Sequence, residues 1–472
     1  MRYPNVACST PDTPPPGRTR GGARRLAAVA GLAVTLLAGV INADPTGSNA
    51  PQPAAEEPGE DTVDPAAWGR RYPRQYASFT RAAEPARTRH GGSVPFSHLD
   101  RDPHLRRFFA GNPFAREYRE ERGHAFMLAD ADATKRVTEV KQPGACLHCH
   151  SSVLPAYRRE GGGDIAKGFE KVCAMPLAEA RRLVTHPVSC VDCHDAQTMT
   201  LRVTRPAFQA GLQALAGGAE PVPHLPSVEA WRRGKRDRAY DANALAGKAE
   251  MRAFVCAQCH VEYYFHGDGK RVTYPWAEGL KADAVERYYD KIGFTDWTHP
   301  DTGAGLLKAQ HPEFETWSQG IHARMGVSCA DCHMPAARMD GETVTDHHVR
   351  SPLAGDMAAC LNCHRGAAAD LKARVEGVQD RTRKLLDRAG ADVVGLIDAV
   401  RVARGRGAAD EALAEARRLH RQAQWRVDFV GAENSTGFHA SAEAERLLNE
   451  AIELARRGRT GVGLTPPAGG SP

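Results

Sequence analysis

Cys146-Leu147-His148-Cys149-His150 decides how this 472-residue chain is read, because the same pattern returns four more times. The repeats are Cys190-Val-Asp-Cys193-His194, Cys256-Ala-Gln-Cys259-His260, Cys329-Ala-Asp-Cys332-His333 and Cys360-Leu-Asn-Cys363-His364. Cys-x-x-Cys-His is the attachment signature of c-type haem. Two thiols add across the porphyrin vinyl groups, and the short loop swings the following His beneath the ring to bind iron. The chain's own composition predicts about 0.01 such matches by chance, so five of them imply five covalently bound haem c groups. Paired Cys-x-x-Cys also builds zinc sites, but those use two pairs per metal and need no trailing His. A disulfide framework does not demand that His either.

Ten of the twelve cysteines serve these motifs. Cys8 lies near the N-terminus, and Cys173 is left over as a free, inert thiol. The polypeptide charge of +5 omits ten haem propionates and the irons that partly offset them, so it argues for no nucleic-acid partner. A hydrophobic share of 42% is modest, but haem faces supply apolar surface that side chains otherwise would. Length alone would allow about three domains.

Residues 1–43 read as export machinery, a signal peptide or an N-terminal anchor. Arg18, Arg20, Arg24 and Arg25 precede an uncharged run from Leu26 to Ile41, and Asn42-Ala43 offers a small-residue cleavage point. That run is slightly short for a bilayer span, which favours cleavage. Arg24-Arg25 invites a twin-arginine reading, discounted because covalent haem attachment follows export of an unfolded chain. The expected location is the periplasm or the outer face of the cytoplasmic membrane. Residues 44–67, rich in Pro, Ala, Glu and Gly, read as a disordered linker, and 461–472 as a flexible tail. A haem-binding body spans 68–365, with short helices broken by Gly and Pro. Helical spacing then predicts long helices over Ala367–Ala403, Asp410–Val430 and Ala440–Arg457, which either cover a core or pair with another subunit. The fold class is a mainly α multihaem cytochrome c, with a haem-filled core and little β structure.

Five haems could form only a wire, each iron capped by a second His and passing electrons. An enzyme needs one iron with an open face. Twenty histidines permit either. Local sequence favours the enzyme, because the chain from about Phe108 to His439 resembles pentahaem cytochrome c nitrite reductase, the ammonia-forming family. Cys256-Ala-Gln-Cys-His-Val-Glu-Tyr-Tyr-Phe265 resembles that family's third haem site. Leu307-Lys-Ala-Gln-His-Pro-Glu313 is similar to its active-site and calcium segment, and Gly320-Ile-His322 with Cys329-Ala-Asp-Cys-His-Met-Pro335 to its fourth haem site.

The resemblance implies that the haem at Cys146 and Cys149 is catalytic, with Arg136, Tyr263 and His311 lining its distal face. A guanidinium suits an oxyanion because it stays charged; His311 can donate and deliver protons; Tyr263 adds a phenolic donor. It also implies one Ca2+ held by the Glu262 carboxylate, the Tyr263 and Lys308 carbonyls and the Gln310 side-chain oxygen, an all-oxygen set that suits a hard cation. Taken alone, Arg136, His311 and Tyr263 would read as a propionate-binding or surface arginine, a haem ligand or core histidine, and a packing aromatic; Glu262 would read as an ion-pair partner. Distal ligands follow in the same way: His124 for the haem at Cys256 and Cys259, His347 (with His348 as rival) for that at Cys190 and Cys193, His322 for that at Cys329 and Cys332, and His439 for that at Cys360 and Cys363. Ligands crossing the chain so widely imply one catalytic domain over 68–460.

One position departs from most of the family, which attaches the catalytic haem through Cys-x-x-Cys-Lys; here His150 stands there, as in a variant branch. Axial ligand identity is a main control on haem electronics, so potential and substrate preference are open. The function implied is six-electron reduction of nitrite to ammonium, fed by four bis-His haems. A homodimer and a membrane-bound tetrahaem quinol-oxidising cytochrome c as donor are implied partners. The alternatives are an electron-transfer cytochrome without catalysis, or an enzyme acting on hydroxylamine or sulfite.

Overall fold

Three of the five attachment motifs fold as a single helical turn, and in two of these a residue between the cysteines explains why. Leu147–His150, Cys190–Cys193 and Cys329–His333 are such turns. In two of them the second variable residue is Asp. Asp192 accepts from the Ser189 N–H at 2.8 Å and Asp331 from the Ser328 N–H at 2.7 Å, closing the first turn as a reciprocal cap does. The third motif instead continues from the helix Lys248–Ala257, and the fifth from Ala358–Leu361.

The computed structural model describes residues 57–463. The leader expected over 1–43, the start of the linker expected over 44–67, and all but the first residues of the tail lie outside them, as does Cys8. From Pro58 onward the described residues fall in one compact unit. It is 55% helix and 6% strand, the strands being three small antiparallel hairpins. No helix among the described residues is long and apolar enough to cross a membrane.

The end of the expected linker is structured, which corrects the compositional reading. Glu60 Oε2 lies 2.7 Å from Arg202 Nη2, Asp61 pairs with Arg158, and Trp68 Nε1 donates to the Thr62 carbonyl at 2.9 Å. Trp68, 1% exposed, packs on Val191 and Ala196 beside the second motif. Composition sees polar residues there, but not the arginines that hold them.

Two apolar cores organise the rest. One gathers Tyr157, Phe208, Phe254, Trp276 and Phe314 in the haem-binding body. The other joins Phe109, Tyr289 and Leu307 to the C-terminal helices Ala368–Gly405, Asp410–Ala432 and Ser441–Gly461. In the first of these helices Leu386, Ala389, Val393, Leu396, Ile397 and Val400 recur at spacings of three and four and are buried, the stripe periodicity predicts. Gly458 lets the third helix lie close on the first, since a Cβ there would meet Leu396 Cδ1 at 2.7 Å. Consecutive residues Tyr263 and Tyr264 face different cores, so the candidate site lies where these cores meet.

Candidate haem and active site

Four of the five motif histidines face a second imidazole. Ring centroids are 6.1 Å apart for His260 and His124, 6.2 Å for His194 and His347, 6.3 Å for His333 and His439, and 6.3 Å for His364 and His322. A metal–imidazole bond of about 2 Å on each side, plus the rings' own radii, gives a centroid separation of ~6 Å. The four pairs therefore fit an iron between them. Outer-shell partners hold several of these rings by Nδ1, leaving Nε2 toward the metal. His194 Nδ1 meets the Met199 carbonyl at 2.8 Å, His333 the Arg350 carbonyl at 3.0 Å and His347 the Thr345 carbonyl at 2.9 Å. His439 Nδ1 lies 2.6 Å from Glu433 Oε1.

The facing pairs depart from the expected pairing at two motifs. His347, not buried His348, faces His194. His322 faces His364 rather than His333, and His439 faces His333 rather than His364, the reverse of the sequence expectation. The cause is local. Val327 and Met325 donate to the His322 carbonyl at 2.9 and 3.1 Å, folding the link to Cys329 into a tight turn. So folded, that link lacks the reach to carry the His322 ring to the far side of its own motif.

The motifs themselves form a connected string. The thiol of Cys149 adjoins Cys259, Cys256 adjoins Cys329, and Cys360 lies near Cys332; Cys193 sits close to Cys256 and Cys259. Sequence order is thus not spatial order: the first motif neighbours the third, and the second branches from it. Cys173 is fully buried, its thiol pushed up to about 12 by desolvation, as an inert thiol should be.

His150 differs from the other four: among the described residues no imidazole faces it at ring-pair distance. Its Nδ1 meets the Met127 carbonyl at 3.3 Å, with Glu121 Oε2 at 3.9 Å. Arg136, Tyr263 and His311 gather on this part of the molecule. Arg136 acts electrostatically on Cys146, Tyr263 and His311, and His150 on His311. The Arg136 guanidinium lies 4.3 Å over the Phe114 ring, and its buried Nε has no hydrogen-bond partner among the described residues. Burial raises the Tyr263 phenol well above its ordinary value, so it stays protonated. Desolvation, then nearby cationic groups, lowers His311 to about 3.

Glu262, 1% exposed, accepts from Tyr289 Oη at 2.9 Å and the Gln310 N–H at 2.6 Å. Burial first, then nearby Glu315 and Asp296, push its carboxyl well above the usual range. Lys308 turns its ammonium away to Asp428 at 2.9 Å, leaving its carbonyl beside the Gln310 amide at 3.2 Å. A desolvated carboxylate with neutral donors, a carbonyl and a side-chain amide is a donor set that a hard cation would complete. Among the described residues no three Cys, His, Asp or Glu side chains converge as a zinc site requires. Sequence reading missed Phe114, Tyr289, Asp296, Glu315 and Asp428; they are far apart in the chain, and nothing in local spacing singles them out.

The cytochrome c552 family matches residues 64–466. The chain belongs to that family. It is 34% identical over 395 residues to cytochrome c-552 of Parabacteroides distasonis, covering 82% of this chain and 74% of the relative. It is 35% identical over 424 residues to the cytochrome c nitrite reductase subunit NrfA of Nitratidesulfovibrio vulgaris, covering 82% and 76%. Among solved structures, the NrfA catalytic subunit from Desulfovibrio desulfuricans, described with two calcium sites, superposes with a TM-score of 0.73 at 30% identity. That match covers 85% of this chain and 86% of the other. The fold is the mainly α multihaem cytochrome c fold, and the protein is an oxidoreductase, a nitrite reductase carrying haem c.

Proposed function

We propose that this enzyme carries five haem c groups and reduces nitrite to ammonium, a six-electron reaction, outside the cytoplasmic membrane. The observation that carries the reading is the contrast between His150 and the four facing imidazole pairs. The haem held by Cys146, Cys149 and His150 would supply a redox-active iron open to an anion, while the other four supply electrons. Arg136, anchored over Phe114 with an unpartnered Nε, orients the anion and balances its charge without giving up a proton. Tyr263 donates a hydrogen bond from a phenol that burial keeps protonated. His311 donates beside it and relays protons to the bound anion. One Ca2+ would bind the Glu262 carboxylate, the Tyr263 and Lys308 carbonyls and the Gln310 side-chain oxygen, stiffening the backbone that carries Tyr263 and His311.

Residues 68–460 act as one catalytic domain, and residues 1–43 direct export. The partners in this reading are a second copy of the chain and a membrane-bound tetrahaem quinol-oxidising cytochrome c. The test uses purified, fully haem-loaded protein with reduced viologen as donor. One ammonium per nitrite consumed, with one high-spin haem in five by EPR, is the expected result. Five low-spin haems would leave an electron carrier, and turnover of hydroxylamine or sulfite in preference to nitrite would change the substrate.

A further inference from the structure

The residues between the motif cysteines are more than spacers. Asp192 in the second motif and Gln258 in the third are 1% and 2% exposed, and His148 in the first is fully buried. One side chain joins these three loops. Arg205, 1% exposed, donates from Nε to the His148 carbonyl at 2.6 Å and from Nη2 to the Ser151 carbonyl at 2.8 Å. Its Nη1 donates to Asp192 Oδ1 at 2.8 Å and Thr204 Oγ1 at 3.0 Å. Gln258 extends the lattice: its Nε2 donates to the Asp192 carbonyl at 2.9 Å, its Oε1 accepts from the Thr204 N–H at 3.0 Å, and its own carbonyl accepts from Tyr274 Oη at 2.7 Å.

Burying a guanidinium is costly even when it is paired, and well-packed apolar residues often hold loops together at lower cost. What Arg205 adds is a rigid planar fork with fixed donor directions. Two of those directions grip carbonyls on either side of His150. A third grips the loop of the second haem, and through Asp192 and Thr204 the fork reaches the loop of the third, whose Cys259 adjoins Cys149.

We propose that Arg205 is a positioning residue for the catalytic iron. By clamping the peptide on both sides of His150 and tying it to the attachment loops of the second and third haems, it fixes the proximal ligand and the spacing across which electrons arrive. This rests on the assignment of the His150 haem as catalytic. Arg205 lies among attachment loops rather than with Arg136, Tyr263 and His311, so its effect falls on turnover more than on nitrite affinity.

The test compares full-length Arg205→Met and Arg205→Lys with the parent, each verified to carry all its haems. A high-spin haem in the parent supports the catalytic assignment independently of either variant; without one, that assignment falls first. Given it, Arg205→Met should lower kcat for nitrite by about tenfold or more, with KM held within about twofold. Its high-spin EPR line should broaden and that haem's midpoint potential should move, while the low-spin haems keep their number. Arg205→Lys keeps the charge but cannot span all four acceptors, so it should fall between. A fully loaded Arg205→Met with unchanged kcat, high-spin line and potential overturns the proposal. Should that variant fail to load, Gln258→Met cuts the link to the third haem without stranding a charge. It should slow reduction of the high-spin haem in stopped flow, and an unchanged rate overturns the proposal equally.

Discussion

The imidazole of His322 faces that of His364 with ring centroids 6.3 Å apart and ring planes at 90°, whereas the His194 and His347 planes differ by only 34°. Perpendicular axial imidazoles leave the iron d orbitals nearly degenerate and give a strongly anisotropic low-spin EPR signal; near-parallel ones give a rhombic signal. His322→Ala should therefore abolish the most anisotropic low-spin signal and add one high-spin haem. Loss of a rhombic signal instead, with the anisotropic one intact, would return His322 to another haem.

That pairing shows where sequence reading stops. The haem motifs and the three C-terminal helices are legible because each is written in a few contiguous residues or in a repeating apolar stripe; the helix expected over Ala367–Ala403 is observed over Ala368–Gly405. His322 and His439 were both legible as ligands in waiting, but which motif each serves depends on a tight turn after His322. The same holds for Glu60 and Asp61. Their polar character reads as linker, and only Arg158 and Arg202, distant in the chain, make them structure. Arg205 escaped notice because a lone arginine among loops carries no pattern.

Among the described residues Arg136 has no ion-pair partner to hold it, and its support is the Phe114 ring. Arg136→Ala should cut kcat/KM for nitrite by roughly 10²–10³-fold with every haem still attached, the usual cost of losing one charge-stabilising donor. Phe114→Leu removes the platform but keeps the cation, forfeiting about 0.5–1 kcal/mol of cation–π contact and so only a few-fold in rate. Steady-state assays with reduced viologen check both; an Arg136→Ala enzyme with parental kcat/KM would remove this side chain from the mechanism.

Calcium removal tests the Glu262 cluster. A cation bound only to the folded protein stabilises it by about 2.7 kcal/mol at a hundredfold excess over its dissociation constant. EGTA should lower the unfolding temperature and nitrite turnover of the parent, and added Ca2+ should restore both. In Glu262→Gln neither treatment should matter, since the amide removes the one anionic ligand of the proposed set. A parent enzyme indifferent to EGTA in both stability and rate would empty the proposed site.

His420, within the helix Asp410–Ala432, forms a buried pair with His299, their ring centroids 5.3 Å apart. His420 contacts Thr302 Oγ1 and Gln424 Oε1, both neutral, and the charged groups acting on His299 are Arg107 and Asp301. Burial, then His299, lowers His420 from its ordinary value of 6.5 to about 3, and His299 moves down as well. A histidine held neutral in the fold and free to protonate when unfolded contributes stability that is complete above pH 6.5. That contribution is lost as pH falls from 6.5 toward 3, at about 1.4 kcal/mol per pH unit for each proton taken up. Denaturant unfolding of the parent should therefore weaken steadily below pH 6.5. His420→Gln should be less stable at pH 7.5, where it loses a hydrogen bond, yet show a shallower decline on acidification by about one proton's worth of slope. Equal slopes for parent and variant would mean that His420 is already protonated in the native state.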